Sequence, residues 1–249
     1  KSYQLNEQMP LSSQKTVYQT LQGNEAFSEF YKLLVDDGAE LMSTRLSSKY
    51  DAGQASYGSK NLRLLDNYNY TIYVPTNESI RQLIDNGQLP TWEDYENAEA
   101  ICTELGLPSN EVTADSVRKI IKATIVDFLR YHIQDHSVAI DMAPETDSYV
   151  NAYESMKRNP ETGRFYPIDT DNSNGQMTVK GVYGETAHVV KTEGLYNQIC
   201  CEYWFDLSNG NNAATIFMAS DAVVHQIDRP LFFEQMTSWR DKLKNIGRN

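Results

Sequence analysis

The segment from Tyr70 to Ile84 constrains this chain more than any other. Tyr70-Thr71-Ile72-Tyr73-Val74 is apolar at nearly every position, which predicts a strand covered on both faces. Pro75 has no N–H to offer a ladder and ends it. Thr76 can then accept from the free N–H groups of a helix with Ile80, Leu83 and Ile84 on one face, and Gly87 is placed to stop that helix. A strand, a stop, a cap and a helix follow one another without slack.

Around this segment the pattern changes along the chain. Residues 1–16 are polar and weakly patterned, and read as a linker or flanking segment. Asn24 is placed to cap a helix with Phe27, Phe30, Tyr31 and Leu34 on one face, and Gly38 to end it. Residues 44–69 are rich in Ser, Gly, Asn and Asp and read as a long loop with a short strand. Thr91 opens a helix with Glu93 and Asp94 in its first turn, closed by Gly106 and Pro108. Asp115 opens the strongest helix, where Val117, Ile120, Ile121, Thr124, Ile125, Phe128, Leu129 and His132 recur at three- and four-residue spacing.

Ser137 to Ile140 then predicts a strand. Residues 141–175 lose periodicity and carry Pro144, Pro160, Pro167, Gly163 and Gly175, which predicts a long loop of functional type. From Gln176 the chain reads as short β-segments at 177–183, 187–191, 198–206, 214–219 and 223–228, with Asn209-Gly210 as a hairpin turn. Helices early and strands late predict an α+β fold.

Lys and Arg number 22 against 34 Asp and Glu, a net charge of −12 with no basic cluster. Neutralising phosphates needs a dense Lys/Arg footprint, so nucleic acid and anionic membrane faces are excluded as partners. No apolar run approaches the roughly 20 residues that span a bilayer. Three cysteines, Cys102, Cys200 and Cys201, leave no complete disulfide framework. They read as small buried apolar residues.

Three segments together resemble the fasciclin I family. Tyr70-Thr71-Ile72-Tyr73-Val74-Pro75-Thr76-Asn77-Glu78-Ser79-Ile80 is similar to the family's first hallmark. Leu129-Arg130-Tyr131-His132-Ile133 is similar to its Tyr-His motif at the end of a long helix. The third segment, 219–231, contains Val223-Val224-His225-Gln226-Ile227-Asp228 and resembles the second hallmark. The chain departs from the pattern at Gln134-Asp135 and at Asp221-Ala222, where the family has tighter turns.

The resemblance implies a wedge or sandwich of short strands with several helices packed on it, over residues 17–233. Relative to the family, 87–114 and 141–175 are insertions, and 234–249 is a C-terminal tail. It implies an adhesion or binding module that meets a protein or glycan partner at a cell surface. Such insertions resemble those of surface lipoproteins of gut Bacteroidetes. That implies an outer-surface or extracellular place, lipid-anchored through a removed upstream segment. A glycan-binding or glycan-processing surface lipoprotein, or an architectural spacer, are the alternatives.

Within this frame Thr71, Pro75, Thr76, Asn77, His225 and Asp228 are expected to be structural. His225 and Asp228 would hydrogen-bond nearby backbone or each other, since buried polar groups are satisfied internally. Tyr131 and His132 are either core residues or, by resemblance, part of a receptor contact. With Tyr149, Tyr153, Phe165 and Tyr166 they form the expected binding set, because tyrosine supplies rigid contact area with a polar tip.

Catalytic readings are weaker. His132 and His136 have the spacing of two zinc ligands on one helix, without the glutamate of the usual motif or a third ligand. Cys200 or Cys201 with His225 could be written as a thiol pair, but no orienting motif supports it. Phosphate loops, nucleophile elbows and dinucleotide fingerprints are not found. The expectation is a non-enzymatic chain with no cofactor and no metal.

Overall fold

A computed structural model describes residues 15–36, 39–40, 69–107, 112–140, 152–206 and 215–246. The fold is α+β. Helices α1 (Val17–Gln22) and α2 (Ser28–Leu34) come first, joined by a 3-10 turn at Glu25–Phe27. A two-stranded ribbon, β1 (Val35–Asp36) with β2 (Ala39–Glu40), follows. Strand β3 (Tyr70–Pro75) then leads into α3 (Asn77–Asp85), α4 (Trp92–Glu96), α5 (Ala98–Glu104) and the long α6 (Ala114–Tyr131). Strands β4 (Ile133–Asp135), β5 (Ala152–Arg158), β6 (Phe165–Ser173), β7 (Gln176–Lys180), β8 (Ala187–His188), β9 (Gln198–Asp206) and β10 (Thr215–Ile227) precede a last helix, α7 (Trp239–Lys244).

Among the described residues the main sheet has eight strands in the order β8-β7-β6-β5-β4-β3-β10-β9. Only β3 and β10 run parallel, in register from Tyr70 opposite Ala222 to Pro75 opposite Ile227. The far edge curls back. Val189 bridges Ile227, Val190 N–H donates to Gln226 at 2.8 Å, and Asp228 N–H donates to His188 at 3.0 Å. The chain beyond β8 thus takes the place beside β10 that β9 has vacated, and seven strands close into a ring.

Strand β3 is buried along its whole length, as its apolar run predicts. Its alternation divides the interior in two. Tyr70, Ile72 and Val74 join the helical core with Phe27, Phe30, Ile80, Ile121, Ile125 and Leu129. Tyr73 points into the ring with Ile140, Ile168, Met177, Val179 and Ile227.

Local signals at the helix starts act as the residues dictate. Thr76 caps α3, Thr113 caps α6, and Thr91 with Asp94 forms a capping box at α4. Helix α2 differs, since Phe27 at its start offers no side-chain acceptor. The acceptor comes from Asn77, whose Oδ1 takes the Glu29 N–H at 3.0 Å while Nδ2 donates to Glu25 O at 2.8 Å. Helix α1, with Thr16 and Gln19 in a capping box, was not anticipated.

Four expectations need correction. Residues 137–140 are not a strand. The strand is β4, directly after α6, and His136 ends it with a φ of 69°. The 141–175 stretch is not a loop where it is described, because β5 and β6 sit inside the sheet. Their buried side is thin (Ser155, Ile168 and Thr170), so no apolar alternation marks them. Residues 214–219 and 223–228 are one strand, β10, with an irregularity between Ile216 and Ala219. Of the expected C-terminal tail 234–249, the described part to 246 is docked, for Trp239 and Leu243 of α7 are buried in the helical core. The expected Gly38 stop, the 44–69 loop up to residue 68 and the Asn209-Gly210 turn lie outside the described residues.

Two outcomes follow for stability. Asn77→Ala removes the cap of α2 and should cost about 2 kcal/mol in urea denaturation, where an uncapped surface helix would lose less. Excising residues 152–173 breaks the ring at β5 and β6 and should abolish cooperative unfolding by circular dichroism.

Candidate functional site

The three segments singled out in the sequence meet at one junction. The Tyr73 N–H donates to His132 O at 2.9 Å, and the Thr76 N–H donates to Ile227 O at 3.1 Å. Thr71 Oγ1 donates to His136 O at 2.7 Å and accepts from Val138 N at 2.9 Å, which carries the chain past β4. Pro75 is buried at the end of β3. At the ring's seam, Asp228 Oδ1 accepts the His188 N–H at 2.8 Å, and Oδ2 faces His188 Nδ1 at 3.3 Å.

Two buried histidines connect the pieces. His132 is the C-cap of α6 and is fully buried. Its Nδ1 lies 2.7 Å from Phe128 O, and its Nε2 lies 2.9 Å from Leu231 N. A carbonyl can only accept and an N–H can only donate, so the proton sits on Nδ1 and the ring is neutral. His225 is the mirror case, with Nε2 donating to Val138 O at 2.8 Å and Nδ1 accepting from Asn197 N at 3.2 Å. Burial pushes both imidazoles down to about 4. Phe30 and Phe128 pack on His132, and Tyr73 stacks on His225.

Tyr131, the other half of the Tyr-His pair, is also buried. Its hydroxyl donates to Pro167 O at 3.1 Å and accepts from Val182 N at 2.8 Å, and burial pushes the phenol up to about 12. Neither residue presents its side chain to solvent. What lies above them does. Tyr166 and Phe233 stand against the Tyr131 ring at 6.2 and 5.3 Å, and Lys157 lies over Phe233 while pairing with Asp127 at 2.9 Å.

Between α6 and the 231–236 segment is a cleft of about 190 Å³. Ile120, Phe128, Phe232, Phe233 and Met236 line it, and Asp127, Glu234 and Lys242 stand among its walls. Beside it Val182 and Tyr183 are 54% and 48% exposed. They are held in place, since Tyr183 N–H donates to Phe232 O at 2.9 Å. Gly181 permits this approach, because a Cβ there would lie 2.5 Å from Phe232 O.

The remaining expected binding residues are dispersed. Tyr153 is half-buried against His136 at 5.7 Å, and Phe165 lies under the Arg158 guanidinium at 4.6 Å. Tyr149 lies outside the described residues. Sequence reasoning missed Phe232, Phe233, Val182 and Tyr183. An aromatic pair after Pro230 is the signal that could have found the first two.

The geometry also bears on the catalytic readings. Both ring nitrogens of His132 and of His225 are engaged with backbone groups, so neither is free to serve as a base or a ligand. His136 is exposed and turned away into a pair with Asp135 at 3.1 Å. Cys200 packs in the helical core, whereas His225 stacks on Tyr73 on the ring side of the sheet. Among the described residues no three His, Cys, Asp or Glu side chains are grouped to hold a metal ion, and no helix is long and apolar enough to cross a membrane. No family model and no curated protein sequence matches the chain.

The histidines set a pH dependence. Their native values lie below the ordinary 6.5, so between about 4 and 6.5 the unfolded chain binds more protons. Stability is therefore complete above about pH 6.5 and falls with acidification toward pH 4, by up to about 3 kcal/mol per ring. Urea midpoints measured across this window should fall accordingly. Tyr131→Phe strands the Val182 N–H and should cost about 1–3 kcal/mol at every pH in the same assay.

Proposed function

We propose that this chain is a fasciclin-like module of an extracellular or outer cell surface that binds a partner and performs no catalysis. One observation carries the reading. The three segments that resemble the family's hallmarks lie far apart in sequence, yet they meet through β3, β10 and the His132 contacts. A chance likeness in three short stretches gives no reason for them to share one junction. On this reading Thr71, Asn77, His225 and Asp228 are scaffold, as are Tyr131 and His132.

The contact surface is then the apolar face over that junction, made by the cleft with Tyr166, Phe233, Val182 and Tyr183. A protein is favoured over a glycan here. Sugars need unpaired polar groups to meet their hydroxyls, and the charges bordering this face are paired with one another. Lys157 holds Asp127 at 2.9 Å, Lys242 faces Glu234 at 3.8 Å, and Arg229 pairs with Glu185. What remains suits an apolar side chain from a protein surface, with aromatic anchors inside a polar rim. Anchoring at the outer surface through a lipid on an upstream segment belongs to the same proposal.

The test is a screen of the purified chain against arrays of extracellular protein domains and of glycans. Protein binding is expected, and the double change Val182→Ser with Tyr183→Ala should weaken it at least about tenfold with little effect on stability, since both side chains are exposed. Binding confined to glycans would replace the partner class. Turnover of any arrayed glycan would refute the non-enzymatic reading.

A further inference from the structure

His132 and His225 hold parts of the structure that the sheet and helices do not. His132 Nε2 takes the N–H of Leu231, the first residue of the 231–236 segment that walls the cleft. His225 binds both Val138 O and Asn197 N. Asn197 in turn clasps Ile140 through both of its amide atoms, at 2.8 and 3.1 Å. Residues 137–140 lie outside any strand and are fastened beside the ring by these side-chain bonds together with Thr71 on Val138 N and Asn172 Nδ2 donating to Ala139 O at 2.9 Å.

Each ring is bound in a way that admits one proton and no second. A proton added to His132 would fall on Nε2, facing the Leu231 N–H. At His225 it would fall on Nδ1, facing the Asn197 N–H. Two donors would then oppose each other at hydrogen-bond distance inside an apolar setting, and the free backbone segment is the part able to move away.

We propose that His132 and His225 are an acid-operated latch, whose protonation frees the 231–236 segment from α6 and the Tyr196–Asn197 turn from His225 while the sheet stays paired. The surroundings offer no opposite charge to retain a cation in place. Around His132, the ionisable groups of α2 and α6 are Glu29, Tyr31, Lys32, Asp127, Arg130 and Tyr131, and the 231–236 segment adds Glu234. Apart from Tyr131, these side chains are half-buried or exposed. Around His225 stand Tyr73, whose phenol burial keeps neutral, the Asp135–His136 and Asp228–His188 pairs, and Glu193, Lys191 and Arg229 near the surface. The protonated state is disfavoured at both rings by burial alone, with only the carbonyl bond opposing it.

Because the 231–236 segment walls the cleft, acid would open the face to which partner binding is assigned above. The latch itself does not depend on what binds there. Hydrogen exchange of the full chain at about pH 7 and about pH 4, corrected for intrinsic rates, tests it. Amides of residues 231–236 and of the Tyr196–Asn197 turn should lose at least about tenfold more protection on acidification than those of β3. His132→Gln, which offers an acceptor near Nε2 that does not titrate, should suppress the loss at 231–236 and leave that at Tyr196–Asn197. Unchanged protection of both segments, or loss spread evenly through β3 and α6, would overturn the proposal. Should His132→Gln not fold, NMR titration of the wild-type chain decides. The His132 and His225 ring signals must titrate together with the Leu231 and Asn197 amides, and independent titration refutes the latch.

Discussion

The parallel pairing of β3 with β10 is the contact on which the rest of this structure depends. A parallel pair cannot be closed by a turn and needs a long crossover. Here nearly the whole chain between Pro75 and Thr215 serves as that crossover, and it builds α3 to α6 on one side, β4 to β8 around the other, and β9 at the far edge of β10. Both faces of β3 are consequently covered, one by helices and one by the ring. The apolar run from Tyr70 to Val74 is the consequence of standing between two cores.

Closing a ring beside a helical layer leaves backbone groups that neither secondary structure satisfies. The chain leaving α6, the stretch after β4 and the segment after β10 all carry N–H and carbonyl groups inside the protein, where an unmet bond costs on the order of 1–3 kcal/mol. His132, His225 and Thr71 meet them, and Asn77 does the same at the start of α2. Each is a side chain with both a donor and an acceptor, and each reaches backbone distant in sequence. Their polarity reflects the joints of the scaffold. The two imidazoles alone among them titrate, so the joints they make are the ones that respond to acid.

The surface drawn together over these joints is of a different kind. Phe233, Tyr166 and the adjacent pair Val182-Tyr183 come from three parts of the chain, and the first two rings and the Val182 N–H meet a buried tyrosine that ties β6 and the β7–β8 connection to α6. Such rigid support lowers the ordering cost of binding, since the aromatic groups are already placed. In the fasciclin-like reading the Tyr-His pair then acts beneath the contact surface. It positions residues that a partner would touch.

How much of this was legible beforehand depends on whether the signal was local. Strand β3, its proline stop, the Thr76 cap and the stripe of α6 are set by neighbours a few residues apart, and periodicity and capping chemistry show them directly. So does the α+β class. The polar strands β5 and β6 were hidden, because only Ser155, Ile168 and Thr170 turn inward and a strand with one thin buried side leaves no alternation to read. Helix α7 was hidden because two buried residues, Trp239 and Leu243, make too short a pattern. Tyr70 to Ile84 determined by itself a doubly covered strand followed at once by a capped helix. Only the tertiary structure decided that Asn77 caps another helix, that His132 and His225 are held neutral by backbone from distant segments, and that the half-buried rings of Tyr166 and Phe233 gather over Tyr131. Those outcomes rest on contacts between residues tens of positions to about a hundred apart, and a one-dimensional pattern carries no term for them.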